Sequence, residues 1–593
     1  MSGAGSAPPS TPLELRLEAL SLEVGALRQR VEALEHRAPA TVETPVVAAA
    51  PTVHQPGGRE ALITLPLVGR TFLVLGGAYV LRALTEAGVL NTHAGVVAGL
   101  LYAALFLLLA DRAGGSGARA SAAYRGLASL AVALPLLVEA TTRLAVLSPW
   151  GAAVLLLGFT SAVLAVACHR ALPLLAWLTT LGALATAAAL LLTTRSPLPP
   201  AACVLALAAG LLWLAPEAPW TWLRWPVALA ADLLVAVVAG LAGRPAPVGV
   251  APMAPIAAGT AIAFVLFLPL LYLGHFAIAT WALRRRLDLF DRIQTPAALV
   301  VGFGGALHVA FAAGLGLAPL GLGGLAVAGA VYWISLRPRP SFTPADGDVG
   351  ALMALALALA AAPLALQGLP LTLLWSTASL LAVLGAVGWL RPLLGLQSTA
   401  FALAAAIAAG VPAVAGRAFV GGLGGRGGPD AAYCVAAAAA LAAHLIFSRG
   451  VARCPSLDAG TSRAALALTG AVGFCAWAGA LAHAALALTA VSSPPAAAAV
   501  RSVVLALAAL ALALAGRFPL TARLAWLAHP VLVLGGLKLV FSDLRSGGTA
   551  PLVVSFAGYG TALIFVPQLR RWARRAEPAG DGDPPAASPR PPD

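Results

Sequence analysis

From about residue 61 to residue 569 the chain alternates long apolar runs with short polar interruptions. Each run holds about 20 residues, enough at about 1.5 Å of rise per residue to cross about 30 Å of hydrocarbon as a helix. By that length rule the pattern predicts about eighteen spans, within a range of about 16 to 20. Several are rich in Ala and Gly and only weakly hydrophobic, such as the one around "VAAAAALAAHL". The predicted fold is an all-α integral membrane protein, a polytopic bundle of transmembrane helices.

The period changes ahead of the first run. Leu13, Leu17, Leu20, Val24, Leu27, Val31 and Leu34 alternate spacings of four and three, an unbroken a/d seam within residues 13–37. Leu at every d position and Leu or Val at a predict a parallel two-stranded coiled coil, and with it a homodimer. Across that seam Glu23 would face Arg28, and Arg30 would face Glu35. Residues 1–12 are polar and predicted disordered, and no apolar h-region marks a signal peptide. Residues 38–60, rich in Pro, Ala, Val and Thr, read as a flexible linker. Residues 570–593 pair the basic juxtamembrane cluster "RRWARR" with a Pro-rich tail too polar to fold.

Composition agrees with this organisation. The 593 residues are 60% hydrophobic and 10% charged, where soluble proteins carry about a quarter charged residues. The net charge of +14 does not form a nucleic-acid patch, because the basic residues are scattered between apolar runs, as expected of cations that set topology. With about eighteen spans, the connections on the side of the N-terminus hold roughly twice as many Arg and Lys as those on the other side. The expected location is therefore the cytoplasmic membrane, with both termini cytoplasmic and "RRRLDLFDR" on the inner side. Nearly all cations are Arg, and with the abundant Ala, Gly and Pro this suggests a bacterial source. The five Cys lie far apart with no CxxC, so neither a zinc site nor a disulfide framework is expected, and no cofactor. Connections are too short for an inserted soluble domain, which confines any chemistry to the membrane or its faces.

Charges inside the spans are the candidate functional residues, since they are expensive to insert. "PLLVEATTR" places Glu139 and Arg143 four apart towards the outer end of the third predicted span. Arg82 and Glu86 lie near the outer end of the first, and Lys538, the only lysine, and Asp543 near that of the seventeenth. These six form a candidate intramembrane polar cluster, with Asp232 on the seventh span as a secondary candidate. Three cations match three anions, so the cluster either pins helices together or forms an outward-facing site for a polar envelope substrate. His275, His308, His444 and His483 lie on apolar helices without acidic neighbours in sequence and read as packing residues rather than metal ligands. Trp220, Trp222 and Trp225 read as an interfacial aromatic belt with Arg224.

The heptads of Leu13 to Leu34, "VGRTFLVLGGAYVLRALTEAGVL", "PLLVEATTR" and "LKLVFSDLRSGGTAPLVVSFAGYGTALIF" together carry a resemblance. The chain resembles a family of bacterial multi-pass membrane proteins of unknown function, with an N-terminal coiled coil, a linker and a long helical array. That resemblance implies the layout and supplies no catalytic or binding residues. The leading functional reading is a non-enzymatic membrane protein, an oligomeric structural or envelope-associated assembly factor. The alternative is a transporter or flippase of a polar or lipid-linked substrate, and a membrane glycosyl- or acyltransferase ranks third. The expected partners are membrane lipids and a second copy of the chain, with no nucleic acid.

Overall fold

A computed structural model describes residues 87–575, apart from 215–220, 243–252, 283–286, 338–343, 421–427, 455–456, 458–459, 490–492, 519–520 and 547, together with residues 25, 26, 29, 76, 77, 80 and 83–85. The chain divides into two units, Met1–Phe72 and Leu73–Asp593. In the first unit the described residues are helical, and all seven predicted seam residues lie outside them. The linker 38–60 and the tail beyond Arg575 do so as well.

The second unit is a succession of helices. They are α1 (Thr92–Gly115), α2 (Arg119–Thr142), α3 (Pro149–His169), α4 (Pro173–Thr194), α5 (Leu198–Leu214) and α6 (Arg224–Leu241). Next come α7 (Ala258–Trp281), α8 (Leu289–Ala312), α9 (Ala318–Leu336), α10 (Pro344–Ala365), α11 (Leu369–Gly388) and α12 (Pro392–Ala408). The last are α13 (Val411–Val420), α14 (Ala431–Arg453), α15 (Gly460–Leu488), α16 (Pro494–Ala515), α17 (Ala528–Lys538) and α18 (Thr549–Arg575). Among the described residues there is no strand.

Helix starts follow from local chemistry. Asn91, Ser148, Asp288 and Asp430 each accept a backbone N–H of the first turn that follows them, meeting a donor the helix itself leaves unpaired. Pro stands in the first turn of α3, α4, α12 and α16, where its missing N–H is not needed. Gly410, at φ +68, makes the left-handed turn between α12 and α13, and the chain bends there by 65°.

Fifteen segments of the described residues are long and apolar enough to cross a membrane, and the bent pair Pro392–Ala408 and Val411–Phe419 would add a sixteenth. This is a polytopic helical membrane protein. The expected count of about eighteen also needs the shorter helix Leu198–Trp213 and the first predicted span, most of which lies outside the described residues. Outward-facing helix positions are largely apolar too, so Leu229, Val300 and Phe311 stay exposed on the bundle surface, where hydrocarbon is the solvent.

The buried core runs along the array in patches. One joins α2 to α8 through residues such as Leu137, Leu156, Val235 and Leu268. Another, with Trp375, Phe401 and Tyr433, lies in the second half, and a third joins α16, α17 and α18 through Leu505, Val531 and Val566. Apolar burial gives little preference for one helix partner over lipid, so close backbone approach at small residues does much of the packing. At the α9–α10 contact a Cβ added to Gly321 would stand 2.7 Å from the Ala365 N and 2.8 Å from the Ala361 O.

Candidate functional site

The third predicted span was expected to hold Glu139 and Arg143 towards its outer end. The helix ends at Thr142, so Arg143 is its C-cap. The Arg143 Nη1 lies 3.2 Å from the Glu139 Oε1, and the arginine side chain is 62% exposed. Two opposite charges in this stretch are therefore the end of a helix. The Glu-first spacing of four favours the pair, and a cation suits the negative end of the helix dipole. Arg82 and Glu86 lie outside the described residues.

Lys538 and Asp543 are placed quite differently. They are five residues apart, which on an α-helix leaves them about 140° apart around the axis. Leu539–Asp543 is instead a π-turn, closed by the Leu544 N–H donating to the Leu539 carbonyl. The wider turn brings both side chains to one side, towards α16. There the Lys538 Nζ donates to the Asp543 Oδ1 at 2.6 Å, the Ser502 Oγ at 2.6 Å and the Ala498 carbonyl at 2.9 Å. Ser502 donates in turn to the Asp543 Oδ2. Lys538 is 8% exposed and Asp543 1%.

An ammonium has three N–H donors, and all three are used. While it is protonated, Lys538 has no lone pair to offer Ser502. Asp543 and Ser502 hold the lysine inside the bundle. In detergent-solubilised protein, a small amine-reactive reagent should label the N-terminus quickly and Lys538 at least tenfold more slowly. Asp543→Asn should raise the Lys538 rate. Equal rates for both amines in the unmodified chain would contradict the burial.

The two described pairs sit on different partners, since α2 packs on α1, α3 and α4 whereas α17 packs on α16 and α18. Asp232 belongs to a third group, formed where the start of α6, the end of α7 and the start of α8 meet. Its Oδ2 accepts from the Gln294 Nε2 at 2.8 Å. Asp288 caps α8 by accepting the Asp291 N–H at 2.8 Å, and the Arg224 Nη1 lies 3.4 Å from its other oxygen. The His275 Nε2 stands 3.5 Å from the Asp291 Oδ1, and the indole of Trp213 meets the imidazole edge-on at 5.8 Å. Tyr272 adjoins Gln294 and Asp232.

No protein family, curated protein or solved structure matches this chain. The site is therefore read from its own geometry. Two expectations change here. His275 has an acidic neighbour after all, supplied by another helix. Arg224, expected at the interface with the tryptophans, is 5% exposed and lies 6.0 Å from the Phe290 ring centroid. Trp225 packs edge-on against the same ring and Trp222 is exposed, while Trp220 lies outside the described residues. His444 is a hydrogen-bonded packing residue as expected, with its Nδ1 3.1 Å from the Leu466 carbonyl.

At the ends of α1 and α3 the sequence reading missed a further pair. Arg170, the residue capping α3, meets both oxygens of Asp111 at 2.7 and 3.1 Å. The carboxylate it donates to holds the guanidinium above its ordinary pKa. Such planar two-point pairs fix orientation as well as distance.

Proposed function

We propose that the chain is a non-enzymatic structural membrane protein, an oligomeric helical array associated with assembly at the cell envelope. One observation favours this over the transporter or flippase reading: the Lys538–Asp543 pair is buried and bonded to Ser502 and the Ala498 carbonyl within the bundle. The pair joins α17 to α16, and Glu139 with Arg143 closes a helix end.

In this reading the array has about eighteen spans in a bacterial cytoplasmic membrane, with both termini cytoplasmic. Residues 13–37 form a parallel coiled coil that joins two copies, in line with the resemblance to coiled-coil multi-pass proteins of unknown function. The mass of the full chain in detergent, measured by light scattering with the detergent subtracted, tests it. Two copies are expected, and one copy for the variant Leu20→Ala/Leu27→Ala. A monomer without substitution, or a dimer indifferent to the two changes, overturns the oligomer.

A further inference from the structure

The group between α6, α7 and α8 has an arrangement that packing alone does not require. Asp288, Asp291 and Gln294 are spaced three apart and follow one side of the first two turns of α8. They lead from Asp288, 45% exposed, to the buried Asp291 and Gln294. Gln294 then reaches across to Asp232, which lies about 12 Å along α6 from its first residue. The result is a polar column that starts at an accessible carboxylate and ends inside the bundle.

Among the described residues its charges do not balance. Asp232, Asp288 and Asp291 supply three carboxylates, and Arg224 is the one buried cation against them. Arg292, the other described cation on that turn, is exposed. Tyr272 and His275 are the titratable groups facing the column from α7, and α5 contributes the uncharged Trp213. A residual negative charge in a low-dielectric interior is unfavourable by several kcal/mol unless something positive enters.

The column also keeps unused valences. The Asp232 Oδ1, the Asp291 Oδ1 and the His275 Nδ1 are buried without a hydrogen-bond partner, although buried polar groups are nearly always paired. Asp291 as a whole is 7% exposed. Among the described residues no group of three or more His, Cys, Asp and Glu side chains could hold a metal ion. A proton needs only one lone pair, and each of these atoms offers one.

We propose that the α6–α8 column is a proton-binding site, open at Asp288, with His275 and Asp232 as the acceptors. With the His275 Nε2–H directed at Asp291, the Nδ1 lone pair takes up a proton (hydronium-derived) from the aqueous phase, and the imidazolium forms an ion pair with the Asp291 carboxylate. A second proton bonds to the Asp232 Oδ1, while the Oδ2 keeps its bond from Gln294. Among these described groups, three carboxylates and one guanidinium then become two carboxylates against two cations. This goes beyond the structural role proposed above and does not depend on the Lys538–Asp543 pair.

The test uses the full chain in lipid nanodiscs. Protonation of His275 should quench Trp213, which meets it edge-on, giving a fall in tryptophan fluorescence as the pH is lowered. His275→Gln and Trp213→Phe should each remove that same component. Infrared difference spectra on acidification should show a protonated-carboxyl band that Asp232→Asn, of nearly unchanged shape, lacks. The proposal is overturned if Trp213→Phe leaves the fluorescence titration unchanged, or if Asp232→Asn retains the whole carboxyl band. Because those two substitutions act on separate readouts, one variant failing to fold still leaves the other decisive.

Discussion

Lys538→Met is expected to lower the melting temperature and the recovered yield of the purified protein severely, and more than the double change Lys538→Met/Asp543→Leu. Removing the lysine leaves a carboxylate that is 1% exposed and has lost the ammonium bonded to its Oδ1. Breaking a buried pair in this way costs about 3–5 kcal/mol, whereas replacing both partners by apolar residues of similar volume is often nearly neutral. Asp543→Leu alone should also be severe, since the ammonium keeps only Ala498 and Ser502. The comparison is a thermal melt of all four proteins in one detergent. If the two single losses simply add in the double variant, the residues act independently and the pinning role fails.

Gly321→Leu is expected to separate α9 from α10, while Gly323→Leu, two residues away, is tolerated. A Cβ at Gly321 would stand under 3 Å from backbone atoms of Ala361 and Ala365, which cannot turn aside as a side chain can. Nothing lies within 4 Å of a Cβ at Gly323, which borders an apolar recess of about 200 Å³ between α7, α8 and α9. Forcing atoms into a filled contact costs about 1–3 kcal/mol, and a rigid backbone neighbour puts Gly321 at or above the upper end. Melting curves of the two variants check it, and a Gly323→Leu loss equal to that of Gly321→Leu would count against close helix approach as the source of packing.

The helical array was legible in the sequence because span length is set by the bilayer and not by tertiary contacts. Helix ends were less so. Nothing in "EATTRLAVLSPW" marks Thr142 as the last helical residue, and that shift moved Arg143 from the interior of a span to its cap. The link between Lys538 and Asp543 was visible only as two charges on one span. A spacing of five opposes contact on a regular helix, and the π-turn that reverses this has no simple sequence signature. Ser502 could not be found at all, because its role exists only across the α16–α17 contact.

The column shows the same limit from the other side. Asp232 stood out as a charge in an apolar run. His275 did not, since its partner Asp291 is on the next helix and reads in sequence as part of a polar loop. The spacing of Asp288, Asp291 and Gln294 in "DLFDRIQ" was the available signal, an i, i+3, i+6 polar face entering an apolar helix. It becomes meaningful only once α6 and α7 are seen to pack against that face.

Whether the buried ion pair is sealed is the point on which the structural reading and the transporter reading part most clearly. The direct measurement is the reactivity of Ser502→Cys, in a chain whose five native cysteines are replaced, towards a charged thiol reagent added to each face of the membrane in turn. Ser502 is 4% exposed and holds both Lys538 and Asp543, so the account predicts no reaction from either side on the timescale that modifies an exposed cysteine. Rapid modification from either face would reveal an aqueous path to the pair and contradict its role as a pin between helices.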